Sequence, residues 1–333
     1  MSEAGQVRYR VTLLRAGRLL LDAGCMLGLI PKVVWSKTVA VDEKNRMTLG
    51  HNCLLLERLD EPVLSLGAQA RPSPKLVLIE SGSGDKLDEK SRAIFGLDGR
   101  TVLTALQEVG CSPTDIGAAV PTHLHFDHAG GLTRLARAGE KPEWVGGAQS
   151  MGAPRGEHAV VRSFPNAEVI VQRREWFDAM NNTSVMTKTY FPDNLEPLRN
   201  SVRLVESPPP FGPGVVPLRT DTPLPQEARE TEVLPGLFVF LAPGHTWGQQ
   251  AVRFADERGR SVVYVPDVLP SRWHVGAAYN LSYDVDPYMS TMTRTWLLNE
   301  AADRGWMLAL DHEAGHPFFT VVRKGEWFEL VEA

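Results

Sequence analysis

The sequence predicts a layered α/β fold in a single domain spanning residues 1–333. Three observations carry that expectation. Short apolar runs alternate with segments of helical periodicity, the pattern of sheets covered by helices. Four of the apolar runs end at a His or Asp, as happens where strand ends converge on a site. No low-complexity tract divides the chain: the one Pro/Gly-rich stretch, 207–225, is followed by renewed strand patterning and reads as a surface excursion.

In chain order, residues 7–14 and 18–22 read as strands either side of a turn at Ala16 and Gly17. Residues 52–58 and 75–80 are apolar runs, the second feeding the glycine-spaced loop Ser81-Gly82-Ser83-Gly84. Residues 98–110 read as a helix with Asp98 as N-cap and Gly110 as stop. A buried strand at 116–120 leads into His123-Leu124-His125-Phe126-Asp127-His128, and 132–138 reads as the next helix. Then come a strand at 168–172, a helix at 174–180, and strands at 236–241 and 261–265. A helix at 290–304 and a strand at 306–310 complete the series.

Hydrophobic residues make up 43% of the 333 and charged residues 23%, with a net charge of −5. That balance excludes a disordered chain and argues against nucleic acid as partner, since no basic excess is available to neutralise phosphates. Three cysteines, scattered through the sequence, suit a reducing compartment. No run is long and apolar enough for a membrane span, and the first ten residues lack the order of a signal peptide, so a cytoplasmic location is expected.

Three of the nine histidines lie within six residues, with Asp127 among them. Crowded imidazoles and a carboxylate on a glycine-bounded loop bury poorly as structure but suit a borderline divalent cation. His123 and His125 are two apart and share a side in extended chain; Asp127 and His128 are turned elsewhere by the following bend. Each pair can serve one ion, and two ions about 3.5–4 Å apart can activate water and polarise a substrate oxygen. His245, Asp267 and His312, each at or just past a strand end, are candidates for the remaining ligands.

The signature His123-x-His125-x-Asp127-His128, then Gly244-His245-Thr246, Asp267 and His312 resembles that of the metallo-β-lactamase-fold hydrolases. The segment from Asp22 to Gly28 with Pro31-Lys32, the segment from Ser81 to Lys86, and Tyr283-Asp284-x-Asp286-Pro287 resemble the branch of quorum-quenching N-acyl homoserine lactonases and methyl-parathion-hydrolase-like enzymes. The resemblance implies an αββα sandwich, two mixed sheets back to back with helices outside. It implies His123, His125 and His245 on one metal, Asp127, His128 and His312 on the other, and Asp267 bridging. It also implies a homodimer. The chain departs from the pattern with Glu80-Ser81-Gly82 for Asp-Thr-Gly, Pro266 for Gly, Glu313-Ala314 for Asp-Pro, and Pro270 where lactonases often carry Tyr.

The expected function is a dinuclear metal-dependent hydrolase acting on a lactone, ester or phosphotriester, lactonase-like, through a metal-bridging hydroxide. Zinc is the expected metal, with manganese, iron and cobalt also compatible. Asp127, Asp267 and His274 are the catalytic candidates, His274 because it follows Asp267 by seven residues. Met26, Leu27, Phe126, Trp247 and Trp273 are the candidate walls of an apolar substrate pocket. The alternative is a non-catalytic metal-holding binding or carrier protein of cofactor biosynthesis on the same fold.

Overall fold

The structure is a computed structural model that describes residues 7–60, 73–147, 156–186, 188–214 and 216–333. Val215, inside the Pro/Gly-rich stretch, lies outside the described residues. So do residues 1–6 of the expected N-terminal reading.

Strands β1 (Tyr9–Asp22) and β2 (Arg46–Arg58) pair antiparallel over almost their full length. The expected turn at Ala16 and Gly17 is instead a bulge inside β1. Arg15 pairs with Asn52 and Arg18 with Gly50, so two residues face one, and Gly17 supplies φ +127°. β3 (Leu76–Ile79) runs antiparallel to β2, and β4 (Ile116–Val120) runs parallel to β3.

β5 (Thr133–Leu135), β6 (Trp144–Gly147) and β7 (Glu157–Arg162) form a small sheet in the order β5-β7-β6. The helix expected at 132–138 is therefore not formed; β5 occupies its middle. Residues 130–132 make one 3₁₀ turn, and Thr133, a poor helix former, then pairs with Arg162. β8 (Glu168–Gln172) and β9 (Val202–Val205) complete the first sheet, ordered β1-β2-β3-β4-β8-β9. The second sheet takes its strands in sequence order: β10 (Thr231–Leu234), β11 (Leu237–Leu241), β12 (Gln250–Ala255), β13 (Ser261–Val265), β14 (Met307–Leu310), β15 (Phe318–Lys324) and β16 (Trp327–Glu332). Only β13 and β14 are parallel within it.

The layers follow from period-two alternation, because adjacent residues of a strand face opposite sides. Leu54, Leu56, Val77, Ile79 and Ile170 meet Val239, Val252, Phe254, Val262 and Tyr264 in the core between the sheets. Their neighbours Cys53, Leu55, Leu78, Val169 and Val171 face outward onto helices Val102–Glu108 and Arg173–Met180. On the other side Phe240, Val263, Val265, Leu308 and Leu310 face helix Pro287–Arg304 through Trp296, Leu297 and Ala301. Strands buried on both faces read as continuous apolar runs, and that signal made them visible in the sequence. The result is helix, sheet, sheet, helix, the expected αββα sandwich.

Helix Pro287–Arg304 starts three residues before its expected position. Asp286 accepts a hydrogen bond from the Met289 N–H and Pro287 takes the first position, where its missing N–H costs nothing. The helix expected over 98–110 is confined to Val102–Glu108, because Gly99 at φ +85° precedes it. No helix among the described residues is long and apolar enough to cross a membrane.

Candidate metal centre

The C-terminal ends of β3, β4, β11, β13 and β14 come together at one edge of the sandwich. They deliver Glu80, the His123–His128 segment, His245, Asp267 and the pair Asp311 and His312, all nearly inaccessible to solvent. After β4 the chain stays extended through His123 and His125, then turns into the one-turn helix Phe126–Ala129.

Two groups of side chains there can hold an ion. In the first, His123 Nε2 and His245 Nε2 lie 3.1 and 3.0 Å from His125 Nδ1. His245 Nδ1–H donates to Asp284 Oδ1 at 2.9 Å, which leaves the Nε2 lone pair aimed inward. Three nitrogens thus meet at one point, and a proton shared between any two of them leaves the third lone pair unmatched.

The second group is His128, Asp267, Asp311 and His312. Gly50 C=O accepts from His312 Nδ1 at 2.9 Å, so His312 Nε2 also carries its lone pair inward. Asp267 stands between the groups, Oδ2 lying 3.3 Å from His245 Nε2 and 3.6 Å from His128 Nε2, and Oδ1 3.5 Å from His312 Nε2. Asp127 reaches to 3.6 Å of His312 Nε2 and 3.9 Å of His128 Nε2. His128 Nε2, His312 Nε2 and Asp267 Oδ1 are buried and lack a hydrogen-bond partner. Buried orphans of this kind are rare unless something completes them. Neutral imidazole nitrogens and carboxylate oxygens are the donor set of a borderline divalent cation, so the residues present fit that group.

The electrostatics agree. Burial, reinforced by neighbouring imidazoles, holds His123 and His125 well below the ordinary histidine range, so both stay neutral, the form that can coordinate a cation. Burial opposes a charged His128, yet Glu80, Asp127 and Asp267 outweigh it and hold its pKa well up. Burial would raise Asp267, but His312, His128 and His245 pull it well down. Asp311 is pushed well up by burial and by the Asp267 charge. The pocket thus carries more carboxylate than it can ionise without added positive charge.

The surroundings fix these side chains in place. Glu80 adopts φ +65°, a strained backbone for a non-glycine residue. It is held there by the Thr122 N–H, which donates to Glu80 Oε1 at 2.6 Å, while Oε2 lies 3.4 Å from His128 Nδ1. Ser81 N–H and Oγ–H both donate to His128 C=O. Gly130 and Gly131 press against this loop so closely that a Cβ on Gly131 would lie 2.1 Å from Ser81 O, and one on Gly130 2.3 Å from Ser83 O. Lys86, buried beneath, donates to the carbonyls of Gly130 and Thr133. Glu175 joins the two histidine loops: Oε1 accepts from Leu124 N–H at 2.9 Å and Tyr190 O–H at 3.0 Å, and Oε2 from Thr246 O–H at 2.6 Å.

A cavity of about 100 Å³ opens over the centre, bounded by His125, His245, Asp267 and His312 on one side and by Leu21, Met26, Phe95, Phe126 and Tyr283 among others on the rest. Of the expected pocket residues, Met26 and Phe126 line it. Leu27 is buried in the adjoining apolar cluster, where Trp273 also packs. Trp247 faces a separate, larger groove beneath the Pro/Gly-rich stretch. His274 is inaccessible and off the cavity wall. Its Nδ1 faces Ser271 Oγ at 2.9 Å and its Nε2 donates to Met26 C=O at 2.8 Å, so both nitrogens are engaged with the protein.

Sequence reasoning gave no role to Glu80, Glu175, Asp284 or Asp311. Asp284 and Asp311 sat in or beside quoted motifs and were findable on that ground. Glu175 lies in an unremarkable helix, and only the folded chain brings it between Leu124 and Thr246.

A family model described as the metallo-beta-lactamase superfamily matches residues 74–312. Curated N-acyl homoserine lactonases of Bacillus thuringiensis, subspecies kurstaki and indiana among them, are 24% identical over 166 residues. That match covers 50% of this chain and 44% of theirs, so the chain spans less than half the length of the curated relatives it matches. A probable metal-dependent hydrolase from Staphylococcus aureus shares the fold with a TM-score of 0.71 at 23% identity, over 100% of this chain and 99% of that one. AidC, a dizinc quorum-quenching lactonase solved in complex with a product, gives 0.63 at 17% identity over 100% and 99%.

Proposed function

The chain belongs to the metallo-beta-lactamase superfamily, and from that premise we propose that it is a metal-dependent hydrolase, with the whole chain as one domain, holding two divalent cations and opening a lactone, ester or phosphotriester. The observation that carries the reading is the convergence of inward-facing imidazole and carboxylate atoms beneath an apolar cavity. His123, His125 and His245 would hold one cation, and Asp127, His128 and His312 the other, with Asp267 between them. Zinc suits the donor set best. Cations bound there supply Lewis acidity, lowering the pKa of water and polarising a substrate oxygen.

The chain's own groups do the rest. Asp284, Gly50 and Glu80 orient the ligand imidazoles, which raises their basicity and fixes their tautomers. Met26, Phe95 and Phe126 exclude water and receive an acyl chain or aromatic group. Asp127, on the cavity wall, is placed to return a proton to the leaving group. The lactonase relatives make N-acyl homoserine lactones the first substrates to try, and quorum quenching the first physiological role.

Elemental analysis of protein purified without added metal, followed by assay on lactones, aryl esters and phosphotriesters, tests this reading. About two metal ions per chain and turnover abolished by Asp127→Asn are expected. Metal binding with no turnover across the panel would favour the carrier alternative, and absence of metal binding would overturn both.

A further inference from the structure

The turn over residues 281–286 is tied to the loop that carries His245. Asp284 accepts the His245 Nδ1–H. Val285 N–H donates to His245 C=O at 3.2 Å, and Asp286 N–H to Gly244 C=O at 2.9 Å. Within the turn, Asp284 N–H donates to Leu281 C=O at 3.1 Å and Leu281 N–H to Asp284 Oδ2 at 3.3 Å. Tyr283 sits in the middle of this clamp. Its ring meets the His245 ring edge-on, centroids 5.8 Å apart and planes at 77°. The bonds that fix His245 therefore fix Tyr283 with respect to the metal centre.

The Tyr283 side chain lines the same cavity as His125, Asp127, Asp267 and His312. Its O–H donates to Met26 Sδ at 2.6 Å. A thioether is a weak acceptor, and a phenylalanine ring would fill this wall without burying a hydroxyl. The hydroxyl is thus a preorganised donor at the edge of the reaction space, resting on a partner that any charged oxygen would displace.

The geometry points to Tyr283 as a catalytic residue of the hydrolysis: its O–H turns from Met26 Sδ to the carbonyl or phosphoryl oxygen of the substrate, on which negative charge builds during attack. This rests on the hydrolase reading above. No proton is transferred and no bond at Tyr283 breaks; the group acts only as a hydrogen-bond donor. The acyl or alkyl part of the substrate then lies along Met26, Phe95 and Phe126, and the specificity is for an apolar group attached to a compact electrophilic centre.

The test is Tyr283→Phe in the full, zinc-loaded chain, with p-nitrophenyl butyrate, γ-decalactone and diethyl p-nitrophenyl phosphate as probes. Expected is a fall in kcat of about 100-fold with KM within about threefold, at unchanged metal content and melting temperature. A second readout needs no turnover: hexylphosphonate, a charged tetrahedral anion, should bind the variant about tenfold more weakly by calorimetry. Wild-type protein that turns over none of the probes defeats the hydrolase reading, and the calorimetry still judges the donor. Equal phosphonate affinity in the two proteins, no binding by either, kcat retained within about twofold, or loss of metal from the variant overturns the assignment.

Discussion

Glu175 offers the sharpest test of how the site is held together, because it touches both histidine loops. Its two carboxylate oxygens accept three hydrogen bonds, from Leu124 N–H, Tyr190 O–H and Thr246 O–H. Glu175→Ala strands all three donors. The Leu124 N–H belongs to a residue with no exposed surface and loses about 1–3 kcal/mol when left without an acceptor. The two hydroxyls can rotate toward other acceptors, so about 1 kcal/mol each is reasonable. Partly offsetting this, the carboxylate was costly to bury: burial lifts its pKa above the ordinary value despite the three donors. The net expectation is a loss of about 3 kcal/mol for Ala. Glu175→Gln keeps the shape and one acceptor oxygen, and should lose about 1 kcal/mol. Urea unfolding of the metal-free protein reads these differences, and chelator competition reads the metal affinity, which should fall in the same order. An Ala variant within about 0.5 kcal/mol of wild type, or a Gln variant as damaged as Ala, would refute the view that this carboxylate joins the loops.

Asp284→Asn weakens the partner that sets the His245 tautomer and should lower metal affinity about tenfold, read by competition with a fluorescent chelator. Gly131→Ala should destabilise the fold by about 3 kcal/mol in thermal unfolding, since its Cβ would lie 2.1 Å from a backbone carbonyl that has nowhere to go. His274 has its pKa lowered to about 4 by burial and by Arg294, from an ordinary value of 6.5. The unfolded chain therefore binds the proton first as pH falls, so this contribution to stability is complete above about pH 6.5 and is lost toward pH 4, up to about 3 kcal/mol. The loss of stability between pH 6.5 and 4.5 should be shallower in His274→Asn than in wild type; equal slopes would contradict the reasoning. Stripping the metal with a chelator should lower the melting temperature, because the converging nitrogens and carboxylates then lack their common counter-charge.

What could be read in advance follows from how local each signal is. Strands such as Ile116–Val120 and Ser261–Val265 are buried on both faces, so their composition announces them and their ends locate His123 and Asp267. The segment after the metal motif misleads because its fate is decided at a distance: Lys86 takes the Gly130 and Thr133 carbonyls, and β7 captures β5. Ala16 and Gly17 look like a turn, yet the long partner β2 runs straight past them and absorbs the extra residue as a bulge. The clustered histidines were legible because their spacing is itself the message, and the fold brings His123, His125 and His245 together. The carboxylates behind them were harder to find. Glu80 acts across 42 residues of chain, and only the Glu80-Ser81-Gly82 departure marks its place; Glu175 acts across 71, and nothing near it in sequence advertises a partner.

The contact between Gly130, Gly131 and the loop at Ser81–Ser83 has a practical corollary for anyone recombining homologous proteins. Because neither surface leaves space for a single extra carbon, the two segments behave as one interlocked part. A crossover placed between them would mate mismatched halves and shift His128 while every residue of the candidate centre stayed intact on paper. Chimeras should therefore inherit residues 80–86 and 123–133 from the same parent.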